Sequence, residues 1–262
     1  RKNLKNYNPI KSYLFLLGSG LTYYSFERFS MSHSYEFFSI IFICYLTFLY
    51  SQNQKKFFQF IIPFSMFILL TLRWSNYHIF LMPLIYNELF NKDKKLNLYL
   101  KPFFSIGVFV GFILFLSHTK FLYGLYTFNP SDIFLLVENR LSSNYEQLLD
   151  FSMLPDNILL SIKTLLIVLF TQEFGLFYFS PIIFSGFIFI FIFLYKKDYK
   201  IFFYLSFAYL IPFLPILVFQ NTSYSYGFRY MFSLIGLNIL IYFRSFSKNR
   251  LLIIYLVIFS FF

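Results

Sequence analysis

The chain has 262 residues, of which 58% are hydrophobic and only 13% are charged, and its mean hydropathy is +0.65. These values exclude an ordinary soluble domain and predict a membrane protein. The formal net charge of +11 would also suit a nucleic-acid-binding protein. We exclude that class because the basic residues border apolar segments instead of following one face of a soluble domain. The single cysteine, Cys44, excludes an internal disulfide.

Apolar segments recur along the whole chain, and we interpret them as membrane crossings. A bilayer core about 30 Å thick needs about 20 apolar residues per helix, and flanking Tyr and Ser residues extend the shorter segments. The sequence therefore predicts an all-α fold, a polytopic transmembrane helical bundle that forms one domain over residues 1–262. The predicted spans are 12–26, 37–51, 57–72, 77–90, 102–119, 174–195, 201–219, 230–243 and 251–262.

The chain begins at Arg1 and stops inside the last of these apolar segments. Because neither end resembles a natural terminus, we expect the sequence to be a fragment of a longer protein.

Lysine and arginine gather in short clusters between the apolar segments, at 1–11, 55–56, 92–101, 196–200 and 244–250. If each predicted span crosses once, all of these clusters fall on one side of the membrane. Cytoplasmic loops collect Lys and Arg, so we assign that side to the cytoplasm. The basic residues left on the other side are Arg28, Arg73, Lys120, Arg140, Lys163 and Arg229.

The longest polar connection, 120–157, then lies outside the cytoplasm, as part of an outer loop region over residues 120–173. Within it, Asn129-Pro130-Ser131-Asp132 is typical of a helix start, and apolar residues follow at helical spacing as far as Leu148. Counting the apolar segment 158–170 as a span would move the cluster 196–200 to the wrong side, so we predict a helix lying in the outer interface. The first of these helices is either an ordinary amphipathic surface helix or a lid over a lipid-linked substrate.

Three polar segments fall where outer loops meet the predicted membrane: 27–36, 73–76 and 223–230. Charges near hydrocarbon are costly and usually face a cavity or a partner. An arginine beside a glycine suits a phosphate group, because its planar fork holds two oxygens. Arg73 could instead extend to the interface or pair with Glu173, and His33 could have an orienting role. The candidate binding residues are His33, Glu36, Arg73, Asn76, Tyr226, Gly227 and Arg229.

Other chemistries lack their sequence signals. No spacing of His, Cys and Asp resembles a zinc site. No Walker loop, Gly-x-Ser-x-Gly motif or dinucleotide fingerprint is present. We therefore expect neither a metal nor a cofactor.

The chain resembles the GT-C class of membrane glycosyltransferases, which includes protein mannosyltransferases and bacterial aminoarabinose transferases. The resemblance rests on four ordered motifs that cover residues 27–243. They are Met31-Ser32-His33-Ser34-Tyr35-Glu36-Phe37-Phe38, Leu72-Arg73-Trp74-Ser75-Asn76, Gly175-Leu176-Phe177-Tyr178-Phe179-Ser180-Pro181 and Tyr226-Gly227-Phe228-Arg229-Tyr230.

This resemblance implies an enzyme of the cell envelope that moves a sugar from a polyprenyl-phosphate donor to a lipid, glycan or protein acceptor. Its active face would be extracytoplasmic, in a multi-pass protein of the bacterial inner membrane. Arg229 would contact the donor phosphate, and Arg73 and Asn76 would shape the cavity. The family's catalytic aspartate would precede Arg1, so we expect this chain alone to be inactive.

Two other functions fit the same pattern less well. An O-antigen polymerase or ligase also works at the outer face with arginines in its loops. A transporter or flippase would need ionisable groups or broken helices at mid-membrane and often two repeated halves, and no half-repeat is evident in the sequence.

Overall fold

The computed structural model describes residues 33–72, 74–91, 97–128, 154–171, 175–219, 231 and 233–246. Every element in this part of the chain is helical, which confirms the all-α prediction there. The α-helices are α1 (His33–Asn53), α2 (Lys56–Leu70), α3 (Met82–Phe90), α4 (Pro102–Tyr123), α5 (Leu154–Phe170), α6 (Leu176–Phe179), α7 (Pro181–Tyr195), α8 (Tyr199–Phe219) and α9 (Leu234–Ile241). The predicted segments 12–26, 129–148 and 251–262 lie outside the described residues.

Three predicted spans are less regular than single α-helices. The segment predicted at 77–90 is an eight-residue 3-10 helix, Trp74–Leu81, that continues into the nine residues of α3. A break at Ser180 separates α6 from α7, where Pro181 takes the first helical position that suits its fixed backbone angle. After α9 the helix widens into a π-helical turn, Tyr242–Phe246.

Two described helices, Tyr35–Asn53 within α1 and Pro102–Tyr123, are long and apolar enough to cross a membrane. Shorter apolar helices of 10–17 residues accompany them in α2, α7 and α8, and in α9 together with the π-helical turn that follows it. Much of the apolar surface faces outward, most clearly along α4. The exposed large side chains of α4 are Phe103, Ile106, Phe109, Ile113, Leu114, Phe121, Leu122 and Tyr123.

Helices α2 and α4 pack in parallel along most of their length. Gly107 lies against the backbone of Phe60, and a Cβ there would overlap the Phe60 carbonyl oxygen. One turn further on, a Cβ at Gly111 would come within 2.9 Å of the Phe67 ring. Two glycines four residues apart let helix backbones approach closely, a pattern common between helices in membranes.

An aromatic cluster holds the far half of this pair together, centred on Phe67 of α2. Its ring centroid lies 5.1 Å from that of Phe80 in the 3-10 helix and 5.8 Å from that of Phe112 in α4. Phe115 and Phe128 complete the cluster, at 6.5 and 6.4 Å. Edge-to-face pairs of this kind add about 0.5–1.5 kcal/mol to the burial of each ring.

Basic residues from separate connections meet at one end of the helices. The Lys56 ammonium lies 5.3 Å from the centre of the Phe103 ring, where α2 and α4 both begin. Arg244 donates its Nε–H to the Leu89 carbonyl at 2.9 Å, at the end of α3. A positive charge at a helix C-terminus is favourable because the last carbonyl groups lack partners within the helix.

The start of α8 belongs to the same end. Burial, and to a lesser degree the nearby Tyr204, raise the pKa of the Tyr99 phenol above its usual range. Tyr204 lies one turn after Lys200, so the connection before α8 is close to the one before α4. We call this the basic end, defined by Lys55, Lys56, Lys101, Lys200 and Arg244.

A buried polar contact joins α7, α8 and α9. The Asn238 amide donates to the Ile182 carbonyl at 2.7 Å and to the Tyr209 hydroxyl, and Tyr209 donates to the Ile183 carbonyl at 3.1 Å. Gly186 leaves the space that the Tyr209 hydroxyl occupies, since a Cβ there would overlap it. These bonds satisfy polar groups where no water reaches them.

The α2–α4 contact predicts a strong effect of side-chain size at Gly107. A leucine there would force the Phe60 backbone away, so Gly107→Leu should lower the free energy of unfolding by about 1–3 kcal/mol or more. Phe109→Leu is the matched control, because Phe109 lies on the same helix with its side chain 64% exposed. Thermal unfolding of both variants in detergent checks the prediction, and equal midpoints would contradict the packing.

Candidate functional site

The first polar segment ends inside a helix, not in a loop as the sequence predicted. Residues 33–36 form the first turn of α1. Glu36 is fully buried there, and its carbonyl accepts a hydrogen bond from Ser39 at 2.6 Å. A carboxylate in a first turn is favoured by the free N–H groups of the helix start, which explains why this polar segment can be helical.

The second polar segment runs into the 3-10 helix, and its Asn76 is fully buried. Neither the nitrogen nor the oxygen of the Asn76 amide has a hydrogen-bond partner in the part of the chain that the structure describes. Asn76 also departs from helical backbone angles, with φ −85° and ψ 20°. An unsatisfied buried amide costs about 1–3 kcal/mol, so its retention requires a reason.

Neither His78 nor Ser233 is among the binding residues that the sequence predicted. Both are fully buried, and His78 Nε2 lies 3.0 Å from the Ser233 hydroxyl. The two residues are 155 positions apart, so this hydrogen bond ties the 3-10 helix to the start of α9. The sequence offers one indication of these two residues, because both lie close in sequence to predicted binding residues. His78 follows Asn76 by two residues, and Ser233 follows Arg229 by four.

Helix α9 also packs against α1. A Cβ at Gly236 would lie 2.9 Å from Ile41 and 3.4 Å from Phe37, so the two helices approach closely beside the first turn of α1. The 3-10 helix contacts α1 as well. The start of α1, the 3-10 helix and the start of α9 therefore meet at the end opposite the basic end. We call Glu36, Asn76, His78 and Ser233 the polar cluster.

Most of the predicted binding residues, including both arginines, are not among the residues that the structure describes. Arg73, Tyr226, Gly227 and Arg229 lie outside the described residues, and of His33 only the backbone, which opens α1, is described. The structure thus describes Glu36 and Asn76 among the predicted binding side chains. The grouping of the other residues with them remains a prediction.

The exit of α4 lies at the same end as the polar cluster. Tyr77 of the 3-10 helix donates its hydroxyl to the Phe128 carbonyl. Gly124 ends α4 with a φ of 78°, a left-handed conformation that glycine adopts without steric cost. Lys120 binds the Gly124 carbonyl at 2.6 Å and lies 5.4 Å from the Tyr126 ring centre. This lysine is exposed and does not belong to the polar cluster.

The chemistry available to the polar cluster is hydrogen bonding by a carboxyl, an amide, an imidazole and a hydroxyl. No group of three His, Cys, Asp or Glu side chains in the described residues could hold a metal ion. All the buried polar side chains of the described ranges are acidic, amide, imidazole or hydroxyl groups, without a lysine or arginine among them. Such a set suits uncharged hydroxyl groups better than an anion.

Comparisons with protein-family models, curated proteins and solved structures found no match for this chain.

The bond between His78 and Ser233 predicts a selective loss of stability. Ser233→Ala removes a buried partner of His78 across two distant elements, and should lower the free energy of unfolding by about 1–3 kcal/mol. Ser185→Ala is the matched control, because the equally buried Ser185 hydroxyl binds only the Ile182 carbonyl of its own helix. Denaturation in detergent should show the larger loss for Ser233→Ala, and the reverse order would contradict the assignment.

Proposed function

We propose that this chain belongs to a multi-pass membrane glycosyltransferase. It takes a sugar from a polyprenyl-phosphate donor and delivers it to a lipid, glycan or protein acceptor at the extracytoplasmic face. The observation that carries the proposal is the burial of Glu36, Asn76 and His78, with Ser233, at the end opposite the basic end. Buried polar groups gather at functional sites, and the Asn76 amide has no hydrogen-bond partner among the described residues.

The outward-facing apolar side chains favour a bilayer as the surroundings of the bundle. Exposed aromatic and aliphatic residues run along α4 and recur on α8, where Phe203, Phe207 and Leu210 are exposed. A contiguous apolar surface of this kind is unfavourable in water and favourable against lipid tails.

The location of the basic residues at one end and of the polar cluster at the other supports the proposed orientation of the chain in the membrane. Lysine and arginine meet at the basic end, and cytoplasmic loops carry that excess. The polar cluster then lies toward the extracytoplasmic side.

A lipid-linked sugar suits this arrangement. The donor has an apolar tail, a charged phosphate and a neutral polar head, so its site needs apolar walls next to hydrogen-bonding groups. The polar cluster supplies the hydrogen-bonding groups. Arg229, four residues before Ser233, supplies the cation for the phosphate in our proposal.

A transporter or flippase is the second candidate, and one observation favours it. The segment from Trp74 to Phe90 is a broken helix, with a 3-10 half followed by an α-helical half. Broken helices near buried polar groups are common in transporters. Sugar transfer in detergent, where no sealed compartment exists, would separate an enzyme from a transporter.

The proposed orientation predicts opposite labelling of two exposed positions. In a Cys44→Ala background, Gln52→Cys after the end of the α1 apolar run should react with an impermeant thiol reagent only from the cytoplasmic side. Tyr126→Cys, beyond α4, should react only from the extracytoplasmic side. Both native side chains are exposed. Labelling of both cysteines from one side would refute the proposed topology.

The proposed role of Arg229 predicts how the charge and the shape of the side chain at this position affect sugar transfer from the donor lipid. Replacing it with alanine in the complete protein should weaken transfer from a polyprenyl-phosphate-hexose by about 10- to 100-fold, because a charge-assisted hydrogen bond contributes about 1.5–3 kcal/mol. Arg229→Lys keeps the charge without the two-pronged geometry and should lose less. Lys120→Ala, at an exposed cation of the same end, is the control and should transfer normally. Wild-type transfer by Arg229→Ala would reject this residue as the phosphate ligand.

A further inference from the structure

The described part of the chain contains two fully buried asparagines whose surroundings differ. Asn238 donates its amide to the Ile182 carbonyl and the Tyr209 hydroxyl, and only its oxygen lacks a partner. Asn76 has no hydrogen-bond partner for either amide atom among the described residues. The first asparagine is a structural link between helices. The second must be satisfied by a molecule that binds to the protein or remain unfavourable.

The position of Asn76 places it within the polar cluster. It belongs to the same 3-10 helix as His78, which is bonded to Ser233 at the start of α9. The same 3-10 helix packs against α1, whose first turn contains the buried Glu36. The unsatisfied amide therefore belongs to a segment that contacts both α1 and the start of α9, which are distant from it in sequence.

The chemistry of these groups selects the kind of ligand. A primary amide offers two donors and an acceptor, which can hold two neighbouring hydroxyl groups at once, one as acceptor and one as donor. An anion would find no buried lysine or arginine in the described residues, and it would be repelled by Glu36 whenever that carboxyl group is ionised. The described groups therefore suit neutral polyols better than phosphates.

We infer that Asn76 binds the sugar ring of the donor through two of its hydroxyl groups, and that the phosphate is held elsewhere. This inference rests on the proposed function and divides its site into two parts. The polar cluster binds the neutral sugar, while cationic residues outside the cluster bind the phosphate.

The test compares two lipids and measures thermal unfolding of the complete protein in detergent. The lipids are polyprenyl phosphate and polyprenyl-phosphate-hexose. For the wild-type protein, both should raise the unfolding midpoint, and the sugar-bearing lipid should raise it further. Asn76→Leu, a substitution close in volume, should leave the midpoint without lipid unchanged or higher, because it removes an unsatisfied amide.

With lipid, Asn76→Leu should keep the shift caused by polyprenyl phosphate and lose the additional shift caused by the sugar. Its affinity for the sugar-bearing lipid should fall about tenfold, the loss of roughly one good hydrogen bond to a buried group. Asn238→Leu is the matched control. It should unfold at a lower temperature and keep both lipid shifts.

Different failures have different meanings. If Asn76→Leu is destabilised like Asn238→Leu and keeps the sugar-dependent shift, Asn76 is a structural residue and the inference is wrong, although the proposed function stands. The same conclusion follows if the sugar adds nothing to the shift of the wild-type protein by polyprenyl phosphate. If neither lipid shifts the wild-type protein, the proposed function fails together with the inference. Should Asn76→Leu not fold, Asn76→Ala decides between these outcomes by the same two shifts.

Discussion

The parallel packing of α2 against α4 constrains the rest of the described fold. Gly107 and Gly111 bring the two helices close enough for backbone contact, and both helices begin at the basic end. The chain must therefore return across the whole bundle between them. Among the described residues, the 3-10 helix and α3 make this return, and α3 ends at the basic end. A 3-10 helix rises about 2.0 Å per residue and an α-helix about 1.5 Å, so eight and nine residues together cover about 30 Å.

The 3-10 helix in this returning segment determines where the polar side chains of Asn76 and His78 lie. Long 3-10 helices are uncommon because their hydrogen bonds are poorer, and this one is interrupted at Asn76. Such a segment is stable only when other elements pack around it, here α1, α2 and α8. The surrounding helices bury Asn76 and His78, which a plain α-helix of the same sequence would have placed at other angles. The bond from His78 to Ser233 then fixes α9 against the same segment.

The sequence was sufficient to predict the all-α class and the approximate position of most described helices, because apolar runs and basic clusters alternate so regularly. It also indicated that Glu36 and Asn76 deserved separate consideration as polar residues beside apolar spans. It did not predict that residues 33–36 are helical, since a polar segment before a span reads equally well as a loop or as a first turn. The His78–Ser233 and Asn238–Tyr209 bonds were not predictable either. Each joins residues far apart in sequence, and no local pattern encodes such a partner.

The distribution of neutral and charged groups suggests how the bundle tolerates polarity. The bond between Asn238 and Tyr209 joins helices through neutral groups, and several buried hydroxyl groups, such as those of Thr47 and Ser185, donate to carbonyl groups of their own helices. Neutral groups need only a hydrogen bond, whereas a buried charge needs a partner charge or several donors. Most of the described lysines and arginines accordingly lie near the ends of helices, where Arg244 can satisfy a carbonyl group, and Lys163 within α5 is exposed. Glu36 is the exception, because it is the one acidic side chain that is buried in the described residues. Glu36 lies in the first turn of α1, at the same end of the bundle as the unsatisfied Asn76, whereas the Asn238 amide nitrogen is satisfied within an interhelical contact. This difference supports our proposal of a binding site at that end and a structural role for Asn238.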